Sequence, residues 1–225
     1  MHREDKLQTS ARIQRCRNNK GAEMKESWWV LVLLGVAWPQ ALLAKERTLS
    51  QHQRHLAWQA KQEQIRLDPE QSRVEEVNRY FNRAIRYTDD KSYWHEDDYW
   101  ATPGETIGHG HGDCEDYAIA KYFSLRQLNV AQDKLKLFYV EARPGGSSGT
   151  IALEHVVLAY YPAPAEEPLI LDNLVSTLYR ASQRPDLTPL FSFDTEGIRV
   201  GTQHLSTDQL PPWHRVLTRI QSQRD

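Results

Sequence analysis

The apolar positions of this chain follow a helical period first and a strand period later. Val74, Val77, Phe81, Ala84 and Ile85 recur at three- and four-residue steps, which predicts an amphipathic helix with one face on a core. Asp68-Pro69-Glu70-Gln71 supplies its start, with a capping aspartate, proline at the first helical position and glutamine three residues after the cap. That helix is expected to end near Thr88-Asp89-Asp90. A second helical pattern covers residues 113–128 through Tyr117, Ala118, Tyr122, Leu125 and Leu128. Residues 45–67, rich in Gln, Lys and Ala, are helix-compatible, with His52 and His55 on a solvated face. Beyond residue 133 the period falls to two. Strands are predicted over residues 134–140, 154–161 and 168–173, and a hairpin turns at Asp194-Thr195-Glu196-Gly197. Helices followed by adjacent strands give an α+β domain with an antiparallel sheet.

Two stretches fall outside both periods. Gly108, Gly110 and Gly112 alternate with His109 and His111, which reads as a loop that bends freely just before the second helix. Residues 91–107 are aromatic and acidic and either line a groove or pack beneath a long loop. The segment Arg143-Pro144-Gly145-Gly146-Ser147-Ser148-Gly149 reads as a flexible connection between strands.

The 225 residues suffice for one domain with a substantial core, and a formal charge of −2 gives no support to polyanion binding. Residues 1–23 are polar and charged without apolar periodicity. Met24-Lys25-Glu26-Ser27 then leads into a short apolar run ending at Trp38, with Ala44 at a plausible cut site. The expected organisation is a non-native leader plus signal peptide over residues 1–44, with translation starting at Met24, and a catalytic domain over residues 45–225. An exported chain of that kind retains one of the two cysteines, Cys114. A lone thiol in an oxidising compartment marks a candidate nucleophile.

Cys114 falls at the first turn of the second predicted helix, where unpaired amides and the positive dipole end favour a thiolate. A thiol nucleophile needs a base, and the base an orienting partner. His155 leads one apolar strand and Asp172 closes the next. Strands joined by a short turn run antiparallel, so the start of one lies beside the end of the other and the two side chains should meet, facing Cys114.

Gly112-Asp113-Cys114-Glu115-Asp116 with Ala118-Ile119-Ala120-Lys121-Tyr122, then His155-Val156-Val157-Leu158-Ala159-Tyr160, then Leu169-Ile170-Leu171-Asp172-Asn173, resemble the bacterial transglutaminase-like cysteine peptidases, and among them the LapG-type periplasmic proteases. The resemblance spans residues 99–197. It implies a papain-like fold with a Cys-His-Asp triad at Cys114, His155 and Asp172. Pro103-Gly104-Glu105 departs from the family pattern, where a larger apolar residue follows the proline, and Ile198-Arg199-Val200 lacks an expected aromatic.

Asp113, Glu115 and Asp116 surround the thiol, and three uncompensated carboxylates oppose thiolate formation. Bound Ca²⁺ cancels such charge and prefers oxygen ligands. The resemblance implies calcium dependence with Asp113 and Glu115 as ligands, and Asp116 is added as a third. An ordinary helix cap is the other reading of Asp113. His109 and His111 with Cys114 also form a transition-metal alternative. The resemblance further implies a calcium-binding-repeat surface adhesin as substrate, cut near its N-terminus to promote biofilm dispersal, and an inner-membrane cyclic-di-GMP receptor of the LapD type as partner. Acyl transfer to an amine and a calcium-dependent binding module with an inert thiol are the rival functions.

Overall fold

The computed structural model describes residues 49–143 and 152–223. The leader and export signal expected before Lys45, and most of the glycine-rich connection after Arg143, lie outside them. No helix among the described residues is long and apolar enough to cross a membrane.

Helix α1 (Gln51–Ile65) begins at a capping box in which Ser50 and Gln53 serve each other's amides. Helix α2 (Glu70–Ala84) buries Val74, Val77 and Phe81 completely, as its stripe predicts. Two details differ from expectation. Pro69, not Asp68, is the N-cap, and it has no side-chain cap bond. The helix also stops at Ala84, because the next residues pair as a strand, β1 (Arg86–Tyr87). A single turn, α3 (Asp90–Tyr93), follows under an Asp89 cap.

The glycine stretch is more ordered than a loop. Helix α4 (Pro103–His109) starts at a Thr102–Glu105 capping box and ends on Gly110. Gly110 is left-handed (φ 70°), and the Arg54 guanidinium lies where a side chain would be. Strand β2 (His111–Gly112) then pairs in parallel with β1, Arg86 opposite His111. Helix α5 (Cys114–Gln127) follows directly, so the backbone ahead of the cysteine is held on both sides.

Seven antiparallel strands form the main sheet among the described residues. They are β3 (Leu135–Ala142), β4 (Leu153–Tyr160), β5 (Leu169–Leu171), β6 (Tyr179–Arg180), β7 (Leu187–Asp194), β8 (Gly197–Val200) and β9 (Gln203–Leu205), in the order β6-β5-β4-β3-β7-β8-β9. Helix α5 lies against β4. Helix α6 (Pro211–Ser222), which the apolar pattern did not announce, inserts Trp213 against Phe193, with centroids 5.3 Å apart, and donates its indole N–H to the Asp194 carbonyl. Trp100 packs on Phe193 from the other side, and the guanidinium of Arg219 reaches the Trp100 carbonyl. Much of the aromatic stretch before α4 is therefore packing.

Candidate active site

Cys114 occupies the first position of α5 and is half-buried. Helix α5 packs on β4, and the Val156 backbone amide of β4 favours the charged form of the thiol. His155, the preceding residue, is buried in an interior strand rather than at the sheet edge. Leu158 pairs with Leu171, and this register brings the residue after β5, Asp172, up to the start of β4. His155 Nε2 and Asp172 Oδ1 are 2.8 Å apart. An ionised carboxylate only accepts, so Nε2 carries the proton and Nδ1 is the nitrogen left for other chemistry. The expected meeting of His155 and Asp172 is observed.

Asp172 is held by more than the histidine. Oδ1 also accepts from the Leu174 amide at 3.0 Å, Oδ2 accepts from Arg184 Nη2 at 2.8 Å, and Asn82 donates to its carbonyl at 2.7 Å. Burial works to raise the carboxyl, but the His155 bond and charge, the amide and Arg184 outweigh it and hold it at about 2. Lys121 of α5 is fully buried, and its Nζ has no hydrogen-bond partner among the described residues. Burial lowers its ammonium to about 7 while Asp172 opposes that shift. Sequence reading missed Arg184 and Lys121, because a lone arginine in a connection and a lysine within a helix carry no local signature.

The thiol is not poised by its own surroundings. Cys114 Sγ donates to Glu115 Oε2 at 3.0 Å. Burial first, then Glu115 and Asp113, push the thiol well above its usual value, and the Val156 amide only partly opposes them. Glu115 is itself raised to about 8 by burial and by Asp116 and Asp90.

Asp90, Asp113 and Glu115 are all buried and bring carboxylate oxygens within 4.8 Å of one another. Three hard oxygen donors, one from α3 and two from the start of α5, suit Ca²⁺ or a similar hard cation. Asp113 and Glu115 are the expected pair. The third member is Asp90, not Asp116. The Asp116 oxygens point back into the fold, where they accept from the Ala101 amide at 2.7 Å and the Asp113 amide at 3.3 Å. A Cβ on Gly112 would come within 2.7 Å of Asp116, so the glycine makes room for this brace. Asp116→Asn should destabilise the protein by about 1–3 kcal/mol in urea unfolding, because one amide would then face an NH₂ group.

His109 and His111 stand outside the carboxylate group. His109 Nδ1 lies 2.9 Å from the Tyr93 hydroxyl, and His111 stacks on the Tyr93 ring and pairs with Thr88 at 3.0 Å. The transition-metal alternative gains no geometry from them.

Residues 49–185 match the model of the family described as bacterial transglutaminase-like cysteine proteinase BTLCP. The chain belongs to this family. Solved structures of Legionella pneumophila LapG are 37% identical to it. One covers 75% of this chain and 88% of its own, with a TM-score of 0.65. A calcium-bound form covers 76% and 92% at a TM-score of 0.65, and an EGTA-treated form covers 75% and 89% at 0.66. No curated protein matches the chain. The expected α+β, transglutaminase-like fold is thus the fold of the family, and the family is one of cysteine proteinases.

Proposed function

We propose that the chain is a calcium-dependent, LapG-type periplasmic endopeptidase whose catalytic residues are Cys114, His155 and Asp172. The observation that carries this reading is the 2.8 Å bond between His155 Nε2 and buried Asp172, on the strand against which the Cys114 helix packs. Cys114 as thiolate attacks a peptide carbonyl. The imidazolium of His155 protonates the departing amine through Nδ1, and the neutral ring then takes a proton from the water that releases the acyl-enzyme. Asp172 holds the tautomer and the ring orientation. The Cys114 amide at the helix start is a donor for the developing oxyanion.

Asp90, Asp113 and Glu115 are the residues that would hold calcium. Bound there, the ion supplies positive charge that offsets the carboxylates opposing thiolate formation. With Glu115 engaged as a ligand, the Cys114 proton loses its acceptor.

The substrate class is the N-terminal region of a large, calcium-binding-repeat surface adhesin, and its release promotes biofilm dispersal. The partner that sequesters the protease is an inner-membrane cyclic-di-GMP receptor of the LapD type. Supporting these are the motif resemblance, the likeness to LapG structures solved with calcium and with EGTA, and the export signal read in the sequence. The test is incubation of the purified protein with the N-terminal region of such an adhesin, with calcium or with EGTA, followed by mass spectrometry. A single cut present only with calcium is expected. An intact adhesin under both conditions would refute the reading.

A further inference from the structure

The connection from β6 to β7 leaves the sheet at one edge and re-enters beside β3, beyond β5 and β4. It carries Arg184, a residue only 5% exposed. Arg184 Nη2 donates to Asp172 Oδ2 at 2.8 Å and to Asp186 Oδ2 at 2.8 Å, and its Nε donates to Asp186 Oδ1 at 2.9 Å. The Asp186 carbonyl in turn accepts from the Arg143 amide at the end of β3, at 2.8 Å. A chain of hydrogen-bonded polar groups therefore runs from half-buried Asp186 through buried Arg184 and Asp172 to His155.

We infer that Arg184 is a positioning residue for the reaction: held in place by Asp186, its guanidinium fixes the far oxygen of Asp172 and tunes how strongly that carboxylate supports a charged His155 ring. The inference rests on the reading of Cys114, His155 and Asp172 as catalytic. A guanidinium fork has fixed geometry, so anchoring both Asp186 and Asp172 leaves the Asp172 plane little freedom to rotate. The ring bonded to Oδ1 is then held in one orientation, which is where catalytic positioning gains its rate. The same positive charge opposes a second one on the imidazole. Asp172, from the end of β5, bonds the ring; Arg184 from the connection donates to the other oxygen of Asp172 and to Asp186, and Lys121 from α5 interacts electrostatically with Asp172. Strand β3 presents Val140 opposite.

A staple that only ties the connection to the sheet would affect stability alone. The charge argument predicts shifts of opposite sign for the two partners. In Arg184→Gln the His155 ring should keep its proton to higher pH than in the parent, because the carboxylates on its far side lose their counter-charge. In Asp186→Asn the shift should be downward, because Arg184 then acts undivided. Arg184→Lys should leave the midpoint near that of the parent. Turnover should drop about 10–100-fold in Arg184→Gln with little change in KM, and recover in part in Arg184→Lys.

Two readouts separate the failures. Ring-nitrogen NMR titration of His155 in the full chain needs no substrate and tests Arg184 directly. The alkaline limb of kcat/KM, measured on a cleaved adhesin fragment, tests its place in the reaction. Coincident His155 titrations across the three variants, with unchanged turnover, would overturn the inference while leaving the protease reading intact. Shifted titrations in a protein that cleaves nothing would uphold the charge relay and refute catalysis, and with it the positioning role. If Arg184→Gln fails to fold, the downward shift in Asp186→Asn and its absence in Arg184→Lys decide the matter.

Discussion

Replacing Cys114 by alanine is expected to reduce peptide cleavage by about 10⁴-fold or more, to the level left by binding and oxyanion donors alone. The fold should tolerate the change. The residue is half-buried and its side-chain bond goes to Glu115, so urea unfolding should move by about 1 kcal/mol or less. Co-precipitation with the adhesin fragment should persist, because the residues around the thiol remain. Cleavage by the alanine variant at more than a trace rate would remove Cys114 from the reaction. A biological effect that survived the loss of cleavage would favour the binding-module reading instead.

Calcium removal has the next largest expected effect, and Asp90 gives its sharpest test. Asp90→Asn should weaken calcium binding at least about tenfold in isothermal titration, since it removes one of three buried anionic oxygens from the group. Asp116→Asn should change calcium affinity far less, because its oxygens are already committed to the Ala101 and Asp113 amides. Equal losses in the two variants would return Asp116 to the ligand set. The sign of the pH dependence follows from Glu115, whose carboxyl is raised in the fold from 4.5 to about 8. Above pH 4.5 the unfolded chain releases a Glu115 proton that the folded, calcium-free protein still holds. The contribution of Glu115 to stability without the ion should therefore be fully present below pH 4.5 and decline as pH rises from 4.5 to about 8. The calcium-bound form requires the carboxylate, so the gain in Tm on adding calcium should grow across the same interval.

The sequence announced the three catalytic candidates because each sits where a periodic run begins or ends. Cys114 opens a helix, His155 stands near the start of an apolar strand, and Asp172 follows one. Asp113 and Glu115 were legible by adjacency to the thiol. Asp90 was not, because its place in the carboxylate group depends on a short turn folding back from a residue 23 positions before Asp113. Local pattern saw only the acidic end of a helix. Arg184 and Asp186 escaped for the same reason, since their meaning comes from a connection that recrosses the sheet. Strands β1, β2 and β6 are two residues each, too short for any alternation to register. The alternating glycines looked like slack and are a joint, one left-handed to end α4 and one bare to admit Asp116.

The bond from the Cys114 thiol to Glu115 joins neighbours in a single helical turn. Information about ion occupancy therefore has no distance to travel. Should calcium bind at this carboxylate as proposed, activity after a sudden drop in free calcium should decay with the dissociation rate of the ion itself, without a lag, and return just as directly when the ion is restored.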